Sequence, residues 1–265
     1  HPRATVWRCH VVAHTRRLRP DGTPVSVQTA GEYRPRAPRV PPGQLGVAVT
    51  HTGVPVATFA GMEEAKRNGA RLLALVTVVG SEASRRADGV IYLHTGPEIA
   101  VASTKAYTAM VVDLYLFAIY LAQRRATIDP ERSRALLAEA FHLPTLIDAV
   151  LGEEPKIRAL AYRFHAAQNC LQLGSGGNYP TAPEGAQKLK EISYIHAEAY
   201  PASELKHGPL APLAPASPCQ AHVPAHPPVL KPVATIPTLP ARTRPRTRAV
   251  HVPRAPATSR PHHRP

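Results

Sequence analysis

Acidic residues are missing from the last fifth of this chain and almost missing from its first sixth. Residues 211 to 265 carry eight Lys or Arg against no acid, and residues 1 to 42 carry eight Arg against two acids. Residues 43 to 210 carry 16 basic and 16 acidic side chains, so the formal charge of +14 belongs entirely to the flanks. A pI near 10.2 ordinarily points to nucleic acid or an acidic membrane surface. Here it describes the flanks, and residues 211 to 265 have no Phe, Tyr or Trp to stack on bases. Cysteine is scarce as well: Cys9, Cys170 and Cys219 form no CxxC pair and stand near no metal-ligand spacing. That excludes a disulfide framework or a zinc ribbon and suggests a reducing compartment. No run of 18 apolar residues occurs, and the His1-Pro2-Arg3 start lacks a signal-peptide hydrophobic region. The expectation is a cytoplasmic chain with neither membrane nor specific nucleic acid as partner, and the absent initiator Met marks it as processed or a fragment.

The middle of the chain is well patterned. At 265 residues and 44% hydrophobic content there is enough for one large or two smaller domains. Residues 1 to 24 have no sustained period and no clear first strand. Val25 to Thr29 and Leu45 to Thr50 read as strands, separated by a Pro- and Arg-rich connection ending at Pro41-Pro42-Gly43. Ala57 to Asn68 reads as a helix closed by Gly69, Leu72 to Val79 as a buried strand and Val90 to Leu93 as another. Ser103 and Thr104 open a helix reaching about Arg125, whose run MVVDLYLFAIYLA requires burial. Asp129-Pro130-Glu131 opens a further helix, and Leu136 to Val150 continues the helical pattern. Glu153 to Ala167 reads as a helix leading into a strand at 170 to 173 and the turn Gly174-Ser175-Gly176-Gly177.

Strand, glycine turn and helix thus recur. This predicts an α/β fold with a parallel sheet, a first unit over 25 to 150 and the start of a second over 151 to 210. The GSGG turn lacks the spacing of a dinucleotide fingerprint and has no Walker lysine, so it reads as a structural turn. After Leu210 the periodicity ends. Residues 211 to 265 hold fourteen prolines, and such a stretch cannot bury enough apolar surface to offset its ordering entropy.

Two places carry chemistry. The first is the loop Thr50-His51-Thr52-Gly53, where a strand feeds a helix N-terminus and offers amides and hydroxyls to a phosphate; a plain turn with hydroxyl caps is the alternative. The second is the stretch Thr181 to Pro209. At 100° per residue, Glu184, Lys188 and Glu191 fall within about 60° of one another on a helix, beside an apolar stripe of Gly185, Leu189, Ile192 and Ile195. A carboxylate so placed can shuttle protons, and ordinary surface pairing is the alternative.

The stretch EGAQKLKEISYIHAEAY, followed by ELKHGPLA, resembles the signature of the isomerase domain of glutamine:fructose-6-phosphate aminotransferase (glucosamine-6-phosphate synthase). GPEIAVASTKAYTAM at 96 to 110 is similar to the same family in the same order. The similarity runs from about Val25 to Leu210. It implies three-layer α/β/α sugar isomerase (SIS) domains, the second copy incomplete, acting on fructose 6-phosphate with no cofactor. Glu191 stands at the position of the base moving a proton from C1 to C2. Lys188 matches the lysine that contacts and polarises the sugar. His207 matches the histidine assisting ring opening across a homodimer interface. Thr50, His51 and Thr52 match the Ser-Gln-Ser of the sugar-phosphate loop, and Val101 and Ser103 match further substrate contacts. Bland alternatives stand beside these: Lys188 as a helix-surface charge, His207 as a loop histidine and Ser103 as an N-cap.

The chain departs from the pattern in ways that bear on activity. Val54 and Pro55 replace a Glu and a Thr after the phosphate loop, and Arg3-Ala4-Thr5-Val6 stands where the family has Cys-Gly-Thr-Ser. Each lost charge-assisted contact costs about 1.5–3 kcal/mol, so binding should weaken by about two orders of magnitude. The family's glutaminase domain and catalytic C-terminal lysine have no counterpart in the sequence. The competing class is a non-catalytic sugar-phosphate-binding or oligomerisation SIS module. Flanks dominated by Arg, Pro, Ala and His, joined abruptly to a neutral middle, are what a GC-rich gene yields when read out of frame. Translating the coding DNA of residues 1 to 55 and 211 to 265 in all frames should recover a Ser-Gln-Ser-Gly-Glu-Thr-like loop upstream and a continuing second unit downstream; finding neither would leave the basic tail needing a function of its own.

Overall fold

The apolar run Leu72 to Val76 has no polar interruption, as a strand covered on both faces requires. In the computed structural model, which describes residues 25–36, 43–209 and 218–222, it lies in the middle strand of a parallel sheet. The order is β1 (Leu45–Val49), β2 (Arg71–Val76), β3 (Gly89–Tyr92), with Ala48 opposite Ala74 and Ala74 opposite Val90. Side chains alternate across β2. Leu75 packs with Val49, Leu93 and residues Ala106, Met110 and Leu114 of the long helix Lys105–Arg124. Leu72 packs on the opposite face with Met62, Ala65 and Ala83. In chain order the helices of this half are α1 (Ala30–Tyr33), α2 (Val56–Arg67), α3 (Glu82–Arg86) and α4 (Lys105–Arg124). Helix layers cover both faces of the sheet, so the expected α/β/α arrangement holds.

A second parallel sheet follows α5 (Pro130–Phe141), α6 (Leu143–Leu151) and α7 (Glu154–Phe164). Its order is β5 (His196–Pro201), β4 (Asn169–Gly174), β6 (Cys219–His222), and α8 (Thr181–Ser193) joins β4 to β5. Cys170, Ala186 and Ala197 close the core under α8, while Leu171, Leu173 and Cys219 pack on the other face. Burial of Cys219 pushes its thiol up to about 12, so it stays neutral. After β4 the chain turns through a 3₁₀ turn at Gly176–Asn178. A Cβ on Gly174 would lie 2.4 Å from Tyr179 Cα, which is the steric reason for glycine there.

Several expectations change. Val25 to Thr29 forms no strand and leads into α1. Strand β2 stops at Val76 rather than Val79, because the chain bends over Thr77 and Val78. The pattern from Leu136 to Val150 belongs to two helices. Pro144, which has no amide to donate, sits in the first turn of α6, so a new helix starts where the old one ends at His142. Helix α4 is less buried than its composition demands: Ala106, Met110, Leu114, Ile119 and Ala122 form its buried stripe, while Tyr120 is 53% exposed. Among the described residues α4 alone, taken singly, has the length and apolar composition of a membrane span, and its stripe lies on the first sheet. Cys219–His222 is a strand paired with β4 within the tail expected to be unstructured. Four residues between prolines are too short to show a period. The remaining tail, residues 1 to 24 and the connection at 37–42 lie outside the described residues.

Gly53 generates a prediction. Its φ is 68°, and a Cβ there would lie 2.4 Å from Ser81 Oγ and 2.6 Å from Ser81 Cβ. Gly53→Ala adds left-handed strain to a clash with the turn that opens α3 and should destabilise by about 2–4 kcal/mol in urea denaturation. Thr52→Ala, in the same loop but exposed, should stay within about 0.5 kcal/mol.

Candidate functional site

Helix α8 ends where Tyr194 takes a left-handed conformation, φ 59°, and its first turn carries Glu184, an acid suited to a helix N-terminus. The face turned inward is not the expected apolar stripe. Ala182, Pro183, Glu184 and Ala186 are buried, Leu189 and Ile195 are partly buried, and Ile192 is 66% exposed. The charged edge is therefore the shielded one. Lys188 Nζ lies 3.2 Å from Glu184 Oε1 and 3.3 Å from Glu191 Oε2. The three side chains are 19%, 4% and 9% exposed. Gln187 Nε2 donates to the other oxygen of Glu191 at 3.0 Å.

This is a shielded cluster of one ammonium and two carboxylates rather than surface pairing. Removing one member of such a cluster strands the others' charge. Chemically it offers a carboxylate with limited solvation and an adjacent proton donor, the two parts of an acid–base pair.

His207 is in the turn after the short 3₁₀ helix Ala202–Glu204, its amide donating to Glu204 O at 3.0 Å. Its side chain is exposed, and among the described residues no hydrogen bond or ion pair joins it to Lys188 or Glu191. The structure thus brings Lys188 and Glu191 together and leaves His207 apart from them.

The loop after β1 is held on the end of β2. Thr50 N donates to Leu75 O and Thr77 N to His51 O, both at 3.0 Å, and His51 Nδ1 meets Thr77 Oγ1 at 2.9 Å. Thr50 is 1% exposed and its hydroxyl oxygen accepts from Gly53 N at 3.3 Å. The two hydroxyls expected to act alike therefore differ: Thr50 fixes the loop from inside and Thr52 is exposed. Pro55 stands at the N-cap of α2 without a side-chain cap.

The segment before α4 holds a residue that the sequence reading passed over. Ser103 and Thr104 were the expected caps, but the helix makes no cap hydrogen bond to the Thr104 side chain. Glu98 does the capping. Its Oε1 accepts from the amides of Thr104 and Lys105, both at 2.7 Å, and from the Thr104 hydroxyl at 2.8 Å. Its Oε2 faces the Ser103 hydroxyl at 3.3 Å and the Ala106 amide at 3.4 Å. Burial pushes the Glu98 carboxyl up, but these donors outweigh it and hold it at about 2. An acid six residues before the first cap position lies outside the usual capping-box spacing. The only signal in the sequence was an acid just after Gly96-Pro97. With the excursion tied at Glu98, Ile99 and Val101 project outward at 99% and 73% exposure.

The SIS domain family matches residues 20–120 and 164–220. The glutamine–fructose-6-phosphate aminotransferase [isomerizing] of Thermus thermophilus is 47% identical over 188 residues, 71% of this chain and 31% of the relative. That of Symbiobacterium thermophilum is 47% identical over 190 residues, 72% of this chain and 31% of the relative. The chain therefore spans about a third of the length of these curated relatives. Among solved structures, the C-terminal domain of glucosamine-fructose-6-phosphate aminotransferase from Francisella tularensis superposes with a TM-score of 0.79 at 34% identity, covering 83% of this chain and 62% of that one.

The Glu98 cap sets a pH dependence. Its carboxyl is lowered from 4.5 to about 2 in the folded chain. The stabilisation it gives is therefore fully present above the unfolded value and is lost as pH falls through about 2. The urea midpoint of the wild-type chain should exceed that of Glu98→Gln at pH 6, and the gap should close between pH 4.5 and pH 2. A gap that stays constant over that range would show that Glu98 titrates alike in the folded and unfolded chain, so that the cap does not favour its ionised form.

Proposed function

This chain belongs to the SIS domain family, and from that membership we propose that it is an isomerase-domain unit of the enzyme class that makes glucosamine 6-phosphate from fructose 6-phosphate and glutamine, impaired or inactive as it stands. The observation that carries the reading is the shielded set of Lys188 between Glu184 and Glu191, at 3.2 and 3.3 Å. A module that only binds a sugar phosphate has no need of a shielded proton-transfer carboxylate.

In this reading Glu191 takes the proton from C1 of the open-chain sugar and returns it at C2. Gln187 holds one carboxylate oxygen, which leaves the other to exchange its contact with Lys188 for the substrate proton. Lys188 donates to the sugar oxygen and neutralises charge developing there. His207, exposed in its turn, meets the sugar of a second subunit and assists ring opening; that is why the same chain does not join it to Glu191. Thr52, with the loop that Thr50 and His51 shape, receives the phosphate at the uncapped N-terminus of α2. Val101 and Ser103 line the sugar. The first unit runs over 25–150 and the second begins at 151, and the setting is the cytoplasm.

A second reading has its own support. Lys188 ties up Glu191 and the phosphate loop has one buried hydroxyl, so a non-catalytic SIS module that binds a sugar phosphate or pairs subunits is the alternative. Incubating the purified chain with fructose 6-phosphate, with and without glutamine, separates the two. The matched region is 31% of the relatives' length, and the expected outcome is no glutamine-dependent glucosamine 6-phosphate and at most trace sugar-phosphate isomerisation. Glu191→Gln should abolish that trace, by at least about a hundredfold, since general acid–base catalysis supplies factors of about 10²–10⁴. Glutamine-dependent product would overturn the impaired reading, and isomerisation that survives Glu191→Gln would remove Glu191 from the role of base.

A further inference from the structure

Helices α6 and α7 carry amphipathic stripes that the rest of the described chain leaves in solvent. On α6, Leu143, Leu146, Ile147, Val150 and Leu151 recur at the i, i+3, i+4, i+7, i+8 spacing of a single helix face. On α7, Ile157, Leu160, Ala161 and Phe164 repeat the pattern. Neither helix has a buried residue, whereas α4, α5 and α8 each bury part of a face. Leu146, Ile147, Val150, Leu151 and Ile157 are 43–67% exposed. The two helices do not cover each other, because Pro130–Leu151 and Glu154–Phe164 meet at a bend of 50° instead of folding back. Helices of 9 and 11 residues are marginal in water without packing. Their stripes therefore require a cover.

We propose that this cover is a second copy of the chain, paired antiparallel along α7 with α6 extending the contact. Area and charge both select that occupant. A standard stable interface takes about 800 Å² from each partner and a homodimer interface is about 65% apolar, so about 500 Å² of apolar surface is needed per copy. The two stripes expose apolar surface on the order of 500 Å². Charge is sorted along α7. Glu153 and Glu154 stand at its N-terminal end, with Lys156 and Arg158 held back on them at 2.5 Å each, and Arg163 stands at the other end. Arg163 lies over the Phe164 ring at 5.3 Å and pairs with no carboxylate among the described residues. A partner of one charge sign would be repelled at one end of α7. A reversed copy meets the opposite sign at both, since two-fold symmetry sets each acidic end against the other copy's Arg163. The pairing rests on these exposures and charges and not on the roles given to Glu191 or His207.

The test is light scattering on the full chain after size exclusion, over about 1–100 μM. Wild type should pass from 28.6 kDa to twice that mass. Leu146→Glu/Ile157→Glu puts a charge into each stripe at positions already exposed, so helical ellipticity should be kept while dimer affinity falls at least about a hundredfold. Ile192→Glu, on the outward face of α8 at 66% exposure, should change the affinity by less than about twofold. Arg163→Glu should weaken the dimer about tenfold at low salt, and Glu153→Arg/Arg163→Glu should bring it back to within about threefold of wild type. A wild type that stays at 28.6 kDa over the whole range overturns the proposal, whatever else covers the stripes. A dimer that resists Leu146→Glu/Ile157→Glu, or that Ile192→Glu disrupts as strongly, overturns it as well. If the double glutamate variant loses ellipticity, the charge exchange decides, and absence of rescue overturns the antiparallel pair. A dimer sensitive to the α6 and α7 variants supports the inference whether or not it turns over fructose 6-phosphate, so this reading and the functional one fail separately.

Discussion

The parallel ladder on both sides of β2 is the constraint on which the first half of this protein depends. The strand is apolar from Leu72 to Val76, so it is stable only with a helix layer on each face. Its hydrogen bonding does not stop at its ends. Leu72 N donates to Asp88 Oδ2 at 2.7 Å and Asp88 N to Leu72 O at 2.9 Å at one end. At the other, Thr77 N donates to His51 O, and Leu93 N to Val76 O at 3.1 Å. The loop at Thr50 to Gly53 and the segment that leads to Glu98 are both hung from the same strand end. Both loops inherit their positions from it.

Charge is handled in unlike ways on α8 and at the start of α4. On α8 an ammonium is placed between two carboxylates, and the cluster keeps one negative charge more than it neutralises. Shielding makes that excess matter, since exposed pairs of the same kind are weak and screened. At the start of α4 the charge is single and is held by donors alone. Backbone amides and hydroxyls there hold the Glu98 carboxylate ionised although burial opposes it, whereas on α8 the partner of the carboxylates is a side-chain ammonium.

Period and punctuation made most of the architecture legible. The alternation of short apolar runs with helical stretches is the mark of parallel α/β units, and β1, α2, β2, β3 and α4 fall within a few residues of where it put them. Asp129-Pro130 marked the start of α5, where Asp129 Oδ1 accepts from Arg132 N at 2.6 Å. Elements without a period of their own were hidden. Strand β6 is four residues inside a proline-rich stretch, and its pairing with β4 comes from a hydrogen-bonding partner distant in sequence. The Glu98 cap was hidden for the same reason: its reach to Thr104 and Lys105 depends on how the chain folds back between them.

The sequence by itself determined that Glu184, Lys188 and Glu191 share one edge of a helix, because 3.6 residues per turn leaves no other arrangement. It also determined that the excess positive charge lies outside the patterned middle. Only the tertiary structure decided that this edge faces inward while Ile192 faces out, because burial depends on what β4 and β5 place beneath α8 and not on hydropathy along the helix. It likewise decided that Thr50 is buried and Thr52 exposed, although the two are the same residue type two positions apart. The hydrogen bonds to Leu75 and Gly53 turn one inward, and no local preference of the chain encodes which of two threonines the neighbouring strand will claim.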